Sequence, residues 1–289
     1  MGSRRVWPLA GLWGACVLAL VGLYLVFVRT SEGQRIDAAA IDGRRFAPAR
    51  AERAADTLLG TIDTSTLALA LVAIIGVALL RRRPAAALVA ATTIAGAVVT
   101  TEILKSYVLP RPDLLGGVAY DNSFPSGHAT IALAVGLAAV LVATPRARRR
   151  IALAAVLYAG AVGAATVALG WHRPSDVLGA DLVATGWASA CAALATAKGL
   201  RWTAGAGARP GAVFDRRLAR SAAVLLGAGY VAAIAIAVFS RIGALQLRLI
   251  DAAHVGATFS LLAAAGLLVA ALIWALERSL ERPGDRGSV

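Results

Sequence analysis

The residues of this chain that are best suited to bind or react with a ligand lie at 124–130, directly before an apolar run. They read Phe-Pro-Ser-Gly-His-Ala-Thr. The first turn of a helix has backbone N–H groups without intrahelical acceptors, and the positive end of the helix dipole lies there too. A helix that begins here can therefore bind a phosphate oxygen, notably through the amide of Gly127. Ser126 can add a hydroxyl and His128 can add a proton. The stretch predicts an anion site with an acid-base group beside it.

A second polar cluster runs from His172 to Asp176, where another apolar run begins. Pro174 suits the first turn of a helix, and Asp176 follows His172 by four residues. A carboxylate in that position can hold one imidazole nitrogen, fix the tautomer and make the other nitrogen a better nucleophile. The alternative is a capped helix start with an incidental histidine. That alternative is weakened because two of only three histidines in the chain lie in such polar junctions.

Lys105 and Arg111 follow a third apolar run, with Pro110 and Pro112 on either side of the arginine. The two cations can clamp phosphate oxygens, and the planar guanidinium of Arg111 can do so through two hydrogen bonds. Two charged side chains that snorkel to a membrane interface would give the same pattern. Glu102 precedes Lys105 by three residues, so we expect the two to pair on one helix face and the glutamate to position the lysine.

Composition says which kind of element must position these residues. Hydrophobic residues make up 59% of the 289 residues, only 16% are charged, and the mean hydropathy is +0.73. These values are typical of a protein that crosses a membrane several times. The net charge of +13 comes from arginines clustered between apolar runs, which indicates topology and attraction to anionic membrane lipids, with no nucleic acid partner. Cys16 and Cys191 both fall inside apolar runs, so neither a disulfide framework nor a cysteine metal site is predicted.

About 20 residues cross a bilayer core as a helix, and on that rule the chain contains eight spans. They are residues 7–27, 58–80, 85–107, 128–143, 151–170, 177–197, 222–239 and 252–276. The fold class is therefore predicted to be an all-α integral membrane bundle of about eight helices. We expect a membrane core over residues 1–200, a basic cytoplasmic linker over 201–220, and two additional helices with a cytoplasmic tail over 221–289.

Basic gaps predict the orientation of this bundle. The clusters at 81–83, 146–150 and 198–220 and the C-terminal tail alternate correctly to be cytoplasmic, with both termini inside. The polar segment 29–56 then becomes an external loop, with room for a surface helix. This topology brings Lys105 to Asp113, Phe124 to His128 and His172 to Asp176 to one side. It predicts a multi-pass protein of the cell membrane with its site on the extracytoplasmic face.

Taken together, the three polar clusters resemble the signature of the type-2 phosphatidic acid phosphatase superfamily, which shares its site with the vanadium-dependent haloperoxidases. The residues that carry the resemblance are Lys105 with Arg111-Pro112, Pro125-Ser126-Gly127-His128, and Gly170-Trp171-His172-Arg173-Pro174-Ser175-Asp176. They fall within residues 102–181, and the resemblance covers the third to sixth spans, which gives a six-helix phosphatase core plus two C-terminal helices.

The resemblance implies a role for each matching residue. His172 would attack phosphorus and form a phosphohistidine, Asp176 would orient it, and His128 would protonate the leaving oxygen and later activate water. The non-bridging oxygens would be held by Lys105, Arg111, Ser126 and the amide of Gly127. The family needs neither a metal nor a cofactor for this reaction.

Two departures from the family pattern stand out. Five residues separate Lys105 from Arg111, where the family usually has six, and Thr166 stands where the third motif normally has an arginine. Arg173, next to His172, is a candidate to replace that arginine in binding phosphate, and the sequence leaves open whether it does.

The resulting expectation is a metal-independent lipid phosphatase that hydrolyses a phosphomonoester or pyrophosphate of the polyprenyl pyrophosphate, phosphatidate or phosphatidylglycerophosphate class. A phosphotransferase acting on a sugar or lipid hydroxyl, and a non-catalytic phospholipid-binding or transport protein, are the alternatives, the latter because of Thr166. The sequence leaves open which lipid is used, what the last two helices do and the oligomeric state.

Overall fold

The computed structural model of the protein describes residues 6–42, 49–116, 122–203 and 246–280, and for 246–255 the backbone alone. Nine α-helices and no strand are found in these residues. The helices are α1 Trp7–Leu23, α2 Ser31–Asp42, α3 Ala49–Leu59, α4 Thr64–Leu80, α5 Pro84–Ile103, α6 Gly127–Val142, α7 Pro145–Ala168, α8 Pro174–Ala197 and α9 Gln246–Leu280. Short π-helical turns, Tyr24–Val28 and Leu104–Val108, extend α1 and α5.

Five helical segments of the described chain are long and apolar enough to cross a membrane, and a sixth results if α3 and α4 are counted as one bent span. The five are Trp7–Val28, Pro84–Val108, Pro145–Ala168, Pro174–Ala197 and Gly256–Leu280. Helix α6, with 16 residues, is shorter. The predicted all-α integral membrane fold is confirmed, whereas the span predicted at 222–239 and nearly all of the linker at 201–220 lie outside the described residues.

The region before α5 differs in detail from the expectation. The predicted second span, 58–80, is interrupted because α3 ends at Leu59 and α4 begins at Thr64, with a 59° bend between them. Asp63 caps α4 by accepting a hydrogen bond from the Thr66 amide at 2.7 Å, and the Thr66 hydroxyl oxygen accepts one from the Asp63 amide at 3.0 Å, so a new helix start is favoured here. The predicted external loop is largely helical, since it contains α2 and α3.

Helix α8 forms the centre of the bundle and packs against α1, α5, α6 and α9. Small residues allow close approach between these helices. A side chain at Gly136 of α6, for example, would come within 2.7 Å of Ala155 Cβ in α7. A side chain at Gly96 of α5 would come within 2.5 Å of the Trp187 ring, whose indole N–H donates to Thr100 Oγ1 at 2.9 Å. Glycine is thus needed where α5 meets α8.

The two ends of the bundle carry different chemistry. At one end, Arg83 donates to the carbonyls of Val142 and Trp202 at 2.9 and 2.8 Å and so stabilises the C-terminus of α6. The cluster 146–150 lies there as well, in the first turns of α7 and not in a gap between helices. At the other end lie the N-termini of α6 and α8, the C-terminus of α7 and the π-turn after α5. The three polar motifs therefore share one end.

Candidate active site

Asp176 lies at the centre of the polar end, in the first turn of α8, and its side chain is fully buried. Its carboxylate accepts three hydrogen bonds: from Arg111 Nη2 at 2.8 Å, from Ser123 Oγ at 2.6 Å and from the Arg173 amide at 2.9 Å. The first motif, the residues before α6 and the start of α8 thus meet on one carboxylate. The nearby guanidinium of Arg111 compensates its charge.

His172 lies directly beside this carboxylate. Its Nδ1 is 3.7 Å from Asp176 Oδ2, beyond hydrogen-bonding distance, and it has no hydrogen-bond partner among the described residues. A shift of less than 1 Å would bring Nδ1 within hydrogen-bonding distance of Asp176 Oδ2. The role of Asp176 in orienting His172 stays a prediction.

His128 is the second residue of α6 and lies on the same end of the bundle as His172. Its ring packs against the ring of Trp171, with centroids 5.6 Å apart and planes inclined by 54°. Trp171 and His172 are held together because both of their amides donate to the carbonyl of Thr166, at 2.9 and 3.2 Å. Electrostatic interaction also couples His128 to His172 and to Lys105. The two imidazoles are therefore parts of one site.

Ser126 and Gly127 form the start of α6. Ser126 is the N-cap residue, its hydroxyl accepts from the Ala129 amide at 3.4 Å, and its amide donates to the Asp176 carbonyl at 2.9 Å. A side chain at Gly127 would lie 3.4 Å from Glu102 Oε1 and 3.9 Å from Lys105 Nζ. The absence of a side chain at Gly127 thus leaves the helix N-terminus open next to the lysine.

Lys105 pairs with Glu102 at 2.7 Å, as the spacing predicted. The lysine belongs to the π-turn after α5, a distortion that is common at functional sites because it changes the direction of side chains. Asn122 holds the backbone after this turn by donating to the carbonyls of Lys105 and Leu109 at 2.7 and 2.6 Å. The turn therefore has a fixed place beside the start of α6.

Arg111 and Arg173 are the other cations of the site. Arg111 uses Nη2 for Asp176, while its buried Nε and Nη1 find no acceptor within the described residues. Arg173 Nη1 is 3.4 Å from Ser123 Oγ, so its side chain points toward the Asp176 cluster. Buried guanidinium donors without an acceptor are suited to bind an oxyanion such as phosphate.

Comparison with known proteins gives this arrangement a family. Residues 64–202 match the family model of the PAP2 superfamily. This segment belongs to the PAP2 superfamily. No curated protein and no solved structure matches the chain. Membership confirms the resemblance drawn from the three motifs, and it points to phosphatase-type chemistry on phosphate esters.

Every residue predicted for the site lies inside the PAP2 segment 64–202, whereas α1, α2 and α3 precede it and α9 follows it. Thr166, the departure in the third motif, is fully buried, and its hydroxyl donates to the Gly163 carbonyl at 2.8 Å. The side chains of Asp251 and His254, polar residues near the start of α9, are not described.

Several polar contacts of the site were not predicted from the sequence. Ser123 and Asn122 directly precede the Phe-Pro-Ser-Gly-His stretch, and that adjacency was the only signal they offered. Asp37 lies outside the PAP2 segment; its carboxylate accepts hydrogen bonds from the amide and the hydroxyl of Ser175. Burial, and next to it the charge of Asp176, raise the pKa of Asp37 from 3.8 to about 7.

In the described part of the chain, no three His, Cys, Asp or Glu side chains come together so that they could hold a metal ion. Positive charge beside Asp176 comes from Arg111, and the Arg173 side chain lies next to Ser123, which donates to the same carboxylate.

Proposed function

We propose that this PAP2 protein is a lipid phosphatase that hydrolyses a phosphomonoester or pyrophosphate through a phosphohistidine on His172. The observation that carries the proposal is the convergence of three motifs, distant in sequence, around the buried Asp176 at one end of an apolar helix bundle. His172, Arg111 and Arg173 lie beside that carboxylate, and His128 and Lys105 lie at the same end of the bundle. Such a set is suited to transfer a phosphoryl group.

In the proposed first step, Nε2 of His172 attacks phosphorus, and the bond from phosphorus to the leaving oxygen breaks. His128 donates its proton to that oxygen. In the second step, His128 takes a proton from water as the water oxygen attacks phosphorus, and the phosphorus–nitrogen bond breaks. Inorganic phosphate leaves, and both histidines return to their starting states.

The charge that develops on the non-bridging oxygens is stabilised by the protein's own donors. Arg111 offers Nε and Nη1, and Lys105 lies beside the open N-terminus of α6 at Gly127. Ser126 and Arg173 complete the predicted set. Donors that are fixed before the reaction stabilise the transition state more than the ground state, so no metal ion takes part in this scheme.

A lipid is the favoured substrate because the site lies at the ends of membrane-spanning helices, where a lipid headgroup can reach it from the leaflet. Polyprenyl pyrophosphates, phosphatidate and phosphatidylglycerophosphate all present a terminal phosphate at that depth. Among these classes the contacts of the site favour none, since they all concern the phosphate.

The proposed sidedness rests on the arginines at the far end of the bundle, which favour the cytoplasm. The site then faces the extracytoplasmic side of the cell membrane. Single cysteines at Glu32 and at Arg82, in a chain whose Cys16 and Cys191 are replaced by alanine, test this with a membrane-impermeant maleimide on intact cells. Labelling of the Glu32 position alone supports the proposal, and labelling of the Arg82 position alone contradicts it.

Phosphate release from a panel of lipid phosphates by the purified protein tests the function, with His172→Ala as the inactive control. We expect release by the wild type and loss of at least about 1000-fold in the variant, since the nucleophile is removed. Transfer to an added sugar or lipid hydroxyl without release would indicate a phosphotransferase. Bound lipid without any turnover would favour a binding or transport protein, the alternative to which Thr166 points.

A further inference from the structure

Helix α2 precedes the PAP2 segment, yet it buries two polar side chains against the site. Gln34 is 6% exposed and Asp37 is 2% exposed, although both belong to a stretch that the sequence predicted to be an external loop. Burial of an amide and a carboxylate is costly unless hydrogen bonds compensate. Their partners therefore show what the burial achieves.

Gln34 contacts the first motif. Its Nε2 donates to the carbonyl of Val28 at 2.9 Å and to the carbonyl of Pro112 at 2.7 Å. Its Oε1 accepts from the amide of Leu114 at 3.4 Å. One side chain thus fixes the backbone on the C-terminal side of Arg111.

Asp37 contacts the third motif across 138 residues of chain. Its Oδ1 accepts from the amide of Ser175 at 3.2 Å, and its Oδ2 accepts from the hydroxyl of the same serine. Ser175 is 1% exposed and is bonded directly to Asp176. Asp37 thereby fixes the first turn of α8 at the residue next to the carboxylate that faces His172.

We propose that Gln34 and Asp37 are positioning residues, supplied by α2 from outside the PAP2 segment, that hold the first and third motifs at the spacing needed for phosphoryl transfer. This inference rests on the proposed function. Neither side chain touches the reacting atoms; Asp37 acts through Ser175 and Asp176 on His172, and Gln34 acts through Pro112 on Arg111. The helix is therefore a brace for the active site.

The two residues should affect different kinetic constants. Asp37 keeps the nucleophile aligned, so Asp37→Ala should lower kcat by about 10- to 100-fold. A misplacement of about 1 Å produces a loss of this size. We expect KM to change less than about threefold. Gln34 positions the backbone next to Arg111, whose guanidinium binds phosphate in the ground state as well as in the transition state. Gln34→Met, which keeps the length but loses the donors, should raise KM about tenfold with a smaller effect on kcat.

A conservative variant separates positioning from charge. Asp37→Asn keeps the shape of the side chain; its carbonyl can accept from the Ser175 amide and its NH₂ can donate to the Ser175 hydroxyl. We expect it to recover most of the kcat lost in Asp37→Ala. Glu32→Ala is the matched control, because Glu32 lies on the same helix and is exposed, and its partner there is Arg35.

The experiment uses the purified full-length chain in lipid nanodiscs and measures kcat and KM for a lipid phosphate, inhibition by orthovanadate as a probe of the phosphate site, and the thermal midpoint. Support is a kcat loss in Asp37→Ala with vanadate inhibition within about threefold of wild type, and recovery in Asp37→Asn. A merely structural role would lower the midpoint and the amount of active protein without this division between kcat and KM.

Three results would overturn the inference. They are a wild-type kcat in Asp37→Ala, an equal loss of kcat in Asp37→Asn and Asp37→Ala, or an equal loss of kcat in Glu32→Ala. If Asp37→Ala does not fold, Ser175→Ala removes the hydroxyl contact alone and should lower kcat at least about threefold; an unchanged kcat there overturns the inference. His172→Ala separates the two levels. If it stays active the proposed function fails, and if it is inactive while Asp37→Ala retains wild-type kcat only the brace fails.

Discussion

Arg111 and Asp176 form an ion pair of 2.8 Å between side chains that are 4% and 0% exposed. The arginine follows α5 and the aspartate lies in the first turn of α8, so the pair joins the first and third motifs. Two buried opposite charges compensate each other, and removal of one leaves the other without compensation in a medium of low dielectric constant. The stability of the site therefore depends on the pair as a unit.

Arg111→Met should destabilise the protein by about 3–5 kcal/mol, because it leaves the Asp176 carboxylate buried and unpaired. The double variant Arg111→Met with Asp176→Asn should be less destabilised than Arg111→Met alone, since the buried charge is gone. Denaturant unfolding in detergent measures both. If the destabilisation of the double variant equals the sum of those of Arg111→Met and Asp176→Asn measured singly, the pair does not act as a unit.

His128→Ala should slow the hydrolysis of alkyl phosphates about 100- to 10,000-fold, which is the usual contribution of a general acid. An aryl phosphate such as p-nitrophenyl phosphate should suffer far less, because its leaving group departs without a proton. The ratio of kcat/KM between the two substrates measures this difference. An equal loss for both would show that His128 does not protonate the leaving oxygen.

Arg173→Ala should lower kcat/KM about 100-fold if Arg173 supplies the charge missing at Thr166, since one donor to the transition state is lost. Thr166→Arg should not raise kcat/KM, because position 166 is fully buried and a guanidinium there would have to displace packed neighbours. Kinetics of both variants on one lipid phosphate provide the measurement. A large gain in Thr166→Arg would show instead that the wild-type site lacks this contact.

Asp37 should make stability depend on pH near neutrality. Its pKa is raised from 3.8 to about 7, so between these values the folded protein keeps a proton that the unfolded chain releases. Rising pH therefore favours unfolding over that range, and the dependence levels off above about pH 7. This contribution should lower the thermal midpoint of wild type relative to Asp37→Asn by about 2 to 4 °C per pH unit between roughly pH 5 and 7. The thermal midpoint of Asp37→Asn should fall less with rising pH. A pH dependence identical to that of wild type would contradict the raised pKa of Asp37.

The local parts of the site could be predicted from the sequence because their signals are local. The start of α6 at Gly127, the start of α8 at Pro174 and the pairing of Glu102 with Lys105 follow from capping, proline and helix spacing. The apolar runs likewise predicted the membrane helices. The break between α3 and α4 was missed because one span was drawn from 58 to 80 across the largely polar residues 60–66, where the capping box at Asp63 begins a new helix.

What the sequence by itself determined is a helical membrane protein that carries three PAP2 motifs at helix ends. Only the tertiary structure decided what meets between them: the pairing of Arg111 with Asp176, the packing of Trp171 on His128, and the contact of Asp37 with Ser175. The physical reason is that hydropathy and helix propensity depend on near neighbours in the chain. Contacts between side chains 65 or 138 residues apart depend on how the helices pack, and no local pattern encodes them.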